Sequence, residues 1–267
     1  MRFYPADAFL RHVRACTNAE VPGGRVRLTL GGAPIGYVPP THLPPAPLSD
    51  RSDFDHYVAG LARAGAFQPR QELFDVRDEA TGAVLAQVDR GAIPLLGMIA
   101  EGVHVNGLVR RADGPHLWVG RRAPDKLLDP DRLDHITAGG IPAGMDAMAT
   151  LLKEAAEEAS LAPEQASQAT YRTTLAYAMT RPEGLRRDRL YCYDLDLPEH
   201  IVPRPNDNEV VAFMLWPMAR VVQTVAETDD FKFNVALVLI DLFLRLRLLG
   251  DGAEASRVAA AMDPLRR

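Results

Sequence analysis

The run Ala138-Gly139-Gly140-Ile141-Pro142-Ala143-Gly144, followed by Leu151-Leu152-Lys153-Glu154-Ala155-Ala156-Glu157-Glu158, constrains the chain more than any other stretch. A glycine-rich turn delivers a short helix, and Glu154, Glu157 and Glu158 fall at i, i+3 and i+4, on one helical face. Such a patch is costly unless solvent or bound cations offset the repulsion. Oxygen ligands of this kind suit a hard divalent ion, whose usual task is work on a phosphate. On a helical wheel Met148, Leu152, Ala155, Ala156 and Ala159 gather opposite the acids, which predicts a core face against a sheet and an acidic face away from it. The glycines let the backbone turn sharply and bring the loop carbonyls toward the acids.

Bulk properties narrow the setting. With 47% hydrophobic and 24% charged residues over 267 positions, the chain can bury a real core. A net charge of −5 excludes nucleic-acid binding through bulk electrostatics, so a phosphorylated ligand needs a local basic cluster. Cys16 and Cys192 are too few for a disulfide framework and lack metal-ligand spacing. The first residues carry no apolar signal segment, and the greasiest run, Val235 to Ile240, is too short to span a bilayer. A cytoplasmic protein with no membrane partner is expected.

Periodicity predicts an α+β protein. Ala6 to Cys16 reads as a helix with Phe9, Leu10 and Val13 on one stripe, and Val26–Leu30 with Ile35–Val38 as a hairpin. Five prolines between Pro39 and Pro47 exclude regular structure there. A helix over Phe54–Ala64 and a hairpin of Gln71–Val76 with Val84–Val88 complete a small unit, residues 1–95. In residues 96–267, strands are expected at 104–109, 116–120, 171–179, 189–195 and 210–216. A helix should start near Pro217, with others over 233–249 and 253–262. Arg121, Arg122 and Lys126 form the dense basic cluster beside the glycine turn, and guanidinium groups suit bidentate phosphate contacts. Arg181, Arg186, Arg187 and Arg189 flank Pro182-Glu183-Gly184 and read as a surface hairpin loop. His104 reads as a hydrogen-bonded strand residue; His135, just before the glycine turn, is the better candidate for a substrate contact.

The turn and helix together resemble the box of the Nudix hydrolases, which runs from a glycine through a glutamate to Arg-Glu-apolar-x-Glu-Glu-x-Gly-apolar. Gly139 and Gly144 fit, and Lys153 to Leu161 matches the helical half. Met145 stands in place of the early glutamate, Lys153 in place of the arginine and Ser160 in place of the late glycine, while all three helix glutamates are kept. The chain is further similar to the Nudix branch related to thiamine pyrophosphokinase, in which the early glutamate is often missing. The segments that carry this are Gly102-Val103-His104-Val105-Asn106-Gly107, Arg121-Arg122 with Lys126, the glycine turn, Tyr193 to Pro198, Asn208-Glu209-Val210 and Phe231-Lys232-Phe233-Asn234.

The resemblance implies a Nudix α/β/α sandwich with a mixed sheet, preceded by a small α+β N-terminal domain. It implies Mg²⁺ or Mn²⁺ held by Glu154, Glu157 and Glu158 with backbone carbonyls near Gly139, and hydrolysis of thiamine diphosphate or its oxy- and oxo-forms to the monophosphate. Glu209 is then the candidate general base or extra metal ligand, against the alternative of a solvated loop acid. Arg121, Arg122, Lys126 and His135 are candidate contacts to a small-molecule diphosphate. Two alternatives stand beside this reading: hydrolysis of a nucleoside diphosphate derivative, and a catalytically weakened Nudix-fold binding or regulatory module. The N-terminal domain is a candidate cover for the pocket or a homodimer interface.

Overall fold

A computed structural model describes residues 3–125 and 128–267. Helix α1 (Asp7–Cys16) is followed by the hairpin β1 (Val26–Leu30) and β2 (Ala33–Val38), helix α2 (Arg51–Arg63), the hairpin β3 (Leu73–Arg77) and β4 (Val84–Asp89), and the short α3 (Ile93–Leu96). Then come β5 (Ile99–Arg111), β6 (Gly114–Arg122), β7 (Leu133–Asp134), β8 (Thr137–Gly140), α4 (Ala147–Ala159) and α5 (Pro163–Ala166). The chain continues through β9 (Thr170–Arg181), β10 (Gly184–Asp196), β11 (Val210–Pro217), α6 (Met218–Glu227), α7 (Phe233–Arg245) and α8 (Ala253–Met262). Each strand and helix expected from periodicity is present, with β5, β9 and β10 longer than the alternation suggested.

The main sheet has seven strands in the order β11-β6-β5-β10-β9, with β7 beside β6 and β8 beside β5. Strands β5 and β10 run parallel and the other pairs antiparallel, so the sheet is mixed. Strand β5 alternates between two cores. Val103, Val105 and Val109 pack with Leu151, Ala155 and Ala159 of α4, whereas Leu108 joins α1, α6, α7 and α8 on the other face. Helices thus cover both faces, as an α/β/α sandwich requires. Helix α7 is apolar nearly all round and lies fully inside, as such a helix must. None of the described helices is long and apolar enough to cross a membrane.

A third core, including Leu28, Ile35, Phe54, Phe74, Val88 and Leu96, holds the two small hairpins, α2 and α3 together. Helix α1 is not part of it. Its stripe of Phe9, Leu10 and Val13 packs with α6, α7 and α8 in the core of the main sheet. The hairpin β3–β4 meets the glycine turn directly. Ala143 N–H donates to Leu73 O at 2.7 Å, and Gly144 N–H to the Asp75 carboxylate at 3.3 Å. A Cβ on Gly140 would lie 2.4 Å from Cζ of Phe74, so only glycine fits beneath that ring.

Candidate active site

Helix α4 starts where Asp146 Oδ1 accepts from Ala149 N–H at 2.7 Å, an N-cap that fixes the first turn. Gly144 reaches φ +78°, the left-handed region in which glycine is unstrained. The helix lies on β8, and this corrects the simple split into a core face and an acidic face. The buried side consists of Thr150, Leu151, Ala155, Glu158 and Ala159, while Met148, Leu152 and Ala156 are only partly covered. The acidic arc overlaps the sheet-facing arc. Glu158 is 4% exposed, the Glu154 side chain 14% and the Glu157 side chain 48%, so the acids form a ramp from the sheet to solvent.

Each acid has a defined setting. Glu158 Oε2 accepts from Ala138 N–H at 3.0 Å. Glu154 leans on Gly139, where an added Cβ would come within 2.6 Å of its Cγ and Cδ. Lys153 Nζ reaches Glu154 Oε1 at 3.0 Å and Glu157 Oε2 at 2.7 Å. Partial burial works against that ammonium, but the two carboxylates outweigh it and hold its pKa above the ordinary lysine value. Burial raises the Glu154 pKa against the pull of Lys153, with Glu157 and Glu209 adding to the rise. Burial also pushes Glu158 well above the usual carboxylate range, and Asp134, Glu154 and Glu209 push the same way. Glu209, placed just before β11, therefore lies within electrostatic range of both buried acids. Its loop is pinned by Glu209 N–H to Asp207 Oδ1 and by Ala123 N–H to Glu209 O, each at 2.9 Å.

Glu154 thus lies within electrostatic range of Glu157, Glu158 and Glu209. Among the described residues, Arg121, Arg122 and His135 take other partners. Arg121 is paired with Asp131 at 2.6 Å at the surface. Arg122 is buried and donates to Asp134 Oδ2 at 2.9 Å and to the carbonyls of Leu128 and Asp129. Lys126 lies outside the described residues. His135 is fully buried, its Nδ1 3.0 Å from Nδ1 of His104. His104 Nε2 in turn lies 3.4 Å from Asn234 Nδ2 at the start of α7. Burial brings the His135 pKa down to about 4 and holds that of His104 well below the ordinary value, and both shifts favour the neutral rings. Asp134 stays ionised because Lys232 and Arg122 outweigh its burial. His104, Asp134 and His135 have ligand atoms within 4.8 Å of one another. Two cations already neutralise Asp134, however, whereas among the described residues the ion pairs of the α4 glutamates are those with Lys153. The chemistry of the donors therefore fits a hard divalent cation at the glutamates. Lys232, whose ammonium lies 3.5 Å from Asp134 Oδ2, escaped sequence reasoning as a partner of the histidine and Asp134 cluster, since no local spacing links the two residues.

No family model matches the chain. It is 39% identical over 176 residues to Nudix hydrolase 20, chloroplastic, of Arabidopsis thaliana, a match covering 66% of this chain and 47% of that protein. Nudix hydrolase 24, chloroplastic, of the same plant is 37% identical over 180 residues, covering 67% of this chain and 49% of that one. The chain belongs to the Nudix hydrolase family. It spans about half the length of the curated relatives it matches. A solved Deinococcus radiodurans structure aligns at TM-score 0.47 and 22% identity over 63% of this chain and 97% of that chain.

The departures from the Nudix box have local explanations. Ser160, in place of the late glycine, takes the left-handed C-cap of α4 at φ +53° and donates from Oγ to Arg204 O at 2.9 Å. Lys153 keeps the positive charge of the box arginine between two glutamates. Met145 packs against the apolar core under α4, so the early acid position of the Nudix box is filled by a hydrophobic contact.

The raised Glu154 and Glu158 pKa values set a pH dependence. In the metal-free folded chain these carboxyls keep protons above the ordinary value of 4.5, where the unfolded chain has released them. Their contribution therefore lowers stability as pH rises through that window. A divalent cation binds only the ionised forms and offsets the loss. The Mn²⁺-induced rise in Tm is expected to be larger at about pH 8 than at about pH 6, read by calorimetry. Equal shifts at both pH values would count against a cation at these glutamates.

Proposed function

We propose that the chain is a metal-dependent diphosphate hydrolase that converts thiamine diphosphate, or its oxidised oxy- and oxo-forms, to the monophosphate. The observation that carries the hydrolase reading is the electrostatic coupling of Glu154 to Glu157, Glu158 and Glu209 where α4 lies on β8, with Glu154 and Glu158 under raised pKa. Glu154, Glu157 and Glu158, with carbonyls near Gly139, would hold Mg²⁺ or Mn²⁺. When bound, the cation supplies charge neutralisation for the phosphate oxygens and lowers the pKa of a water. Glu209 takes the proton as the water oxygen bonds to phosphorus and the bridging P–O bond breaks, leaving the monophosphate ester and orthophosphate. Glu158, fixed by Ala138 N–H, and Glu154, fixed against Gly139, keep the ligand atoms in place without reorganisation. The thiamine assignment rests on the branch resemblance in the segments named above. The two buried free thiols, Cys16 and Cys192, are in keeping with a reducing compartment such as the cytosol.

The test is phosphate release with Mg²⁺ or Mn²⁺ from thiamine diphosphate, its oxy- and oxo-analogues and a nucleotide panel. Turnover of the thiamine compounds above the nucleotides is expected. Preference for nucleoside diphosphate derivatives would sink the thiamine assignment, and no turnover of any compound would leave a binding module.

A further inference from the structure

The proposed hydrolase site accounts for the phosphate end of a substrate and leaves its other end without a place. Beside the glycine turn, between β3 and the first residues of β5, lies a cavity of about 150 Å³. Phe74, Asp75, Arg77, Glu101, Ile141 and Arg189 line it. We propose that this cleft is the subsite for a planar heterocycle, bearing both an amino group and ring nitrogens, at the non-phosphate end of the diphosphate substrate. The proposal rests on the hydrolase reading and goes beyond it by giving the hairpin β3–β4 a role in substrate choice.

Three observations support it. First, the cleft opens on the same face as the glutamates. Glu101 shares the parity of Val103 and Val105, which pack on α4, and Tyr191, beside Arg189 on β10, also packs against that core. Arg189, which opens the strand expected at 189–195, lies within the longer β10, and its pairing places the guanidinium opposite Glu101. Second, the separation is right. Glu101 is two residues from Val103, which pairs with Gly139, the residue on which Glu154 leans. At strand spacings the two sites are about 8 Å apart, measured from Glu101 to Gly139. Ile141 N–H, donating to Glu101 O at 2.9 Å, ties the two together.

Third, the lining alternates acceptors with donors. Glu101 Oε1 accepts from Arg189 Nη1 at 3.0 Å and from Tyr191 OH at 2.9 Å, and Oε2 lies 3.3 Å from Arg77 Nε. Arg77 also donates to Asp75 Oδ2 at 2.9 Å. The lining holds four carboxylates, Asp75, Asp78, Glu79 and Glu101, against the two guanidinium groups of Arg77 and Arg189, and this excess of negative charge repels a diphosphate, so the phosphates point toward α4. A ring that can both donate and accept fits between the Phe74 and Ile141 walls.

The experiment compares kcat/KM of the full chain for thiamine diphosphate and for methyl diphosphate, which has no ring. In Glu101→Gln the ratio of the two is expected to fall about tenfold, because one partly buried charged acceptor is lost. Ile99→Trp, which fills the cleft and leaves the ion pairs intact, should lower it as well. A ratio unchanged in both folded variants would overturn the proposal. If the wild type turns over neither compound, the hydrolase reading fails, and titration calorimetry with unphosphorylated thiamine and with cytidine tests the cleft alone. Binding of either that Ile99→Trp abolishes would uphold the subsite. Failure of the wild type to bind both would overturn it.

Discussion

Glu157→Gln is expected to lower kcat at saturating Mn²⁺ by about 100-fold or more, the loss of roughly 2.7 kcal/mol of transition-state stabilisation. Glu157 is the most exposed of the three helix acids, so the exchange removes charge without opening the core. Gln and Glu have nearly the same helix propensity, and the exposed pairing with Lys153 contributes only about 0.3–0.5 kcal/mol. The fold should therefore survive unchanged by circular dichroism while phosphate release collapses. Full turnover in this variant would mean that the cation sits elsewhere.

Gly139→Val should disable the site by a different route. The backbone of Gly139 is ordinary strand, paired with Val103, so valine suits its conformation. The obstacle is steric. The new Cβ would sit 2.6 Å from two carbons of Glu154, and that carboxylate must leave its place. The expected result is a fall in kcat of about 100-fold with a destabilisation of about 1–3 kcal/mol from overpacking. Gly144→Ala is the matched control. There φ is +78° and nothing lies within 4 Å of the added methyl, so about 1 kcal/mol of backbone strain is expected and turnover is kept. Equal activity losses in the two variants would show that the turn acts through flexibility and not through contact with Glu154.

These variants also mark where sequence reasoning stops. The strands, the helices and the order of glycine turn and acidic helix were legible, because alternation and spacing are local properties. The burial of Glu158 was not, since a helical wheel sorts side chains by polarity and cannot foresee a carboxylate paired with Ala138 N–H under β8. Gly140 reads as a residue that loosens a turn, yet its role is to make room for Phe74, a contact only tertiary structure reveals. Arg122 reads as a phosphate ligand, yet folding buries it against Asp134, twelve positions on. His104 was placed correctly on a strand, but nothing local to it announces His135 as its neighbour.

Helix α1 has a consequence for the order of assembly. Its stripe docks on α6, α7 and α8, and Cys16 Sγ donates to Phe233 O across a separation of 217 residues. During synthesis the hairpin unit that follows α1 can close its own core early, but α1 cannot complete its docking until β9, α6 and α7 have all left the ribosome. Until then Phe9, Leu10 and Val13 stay exposed, a stretch for chaperones to shield. Contacts this distant in sequence slow the final step of folding, because loop closure must come before the burial that rewards it.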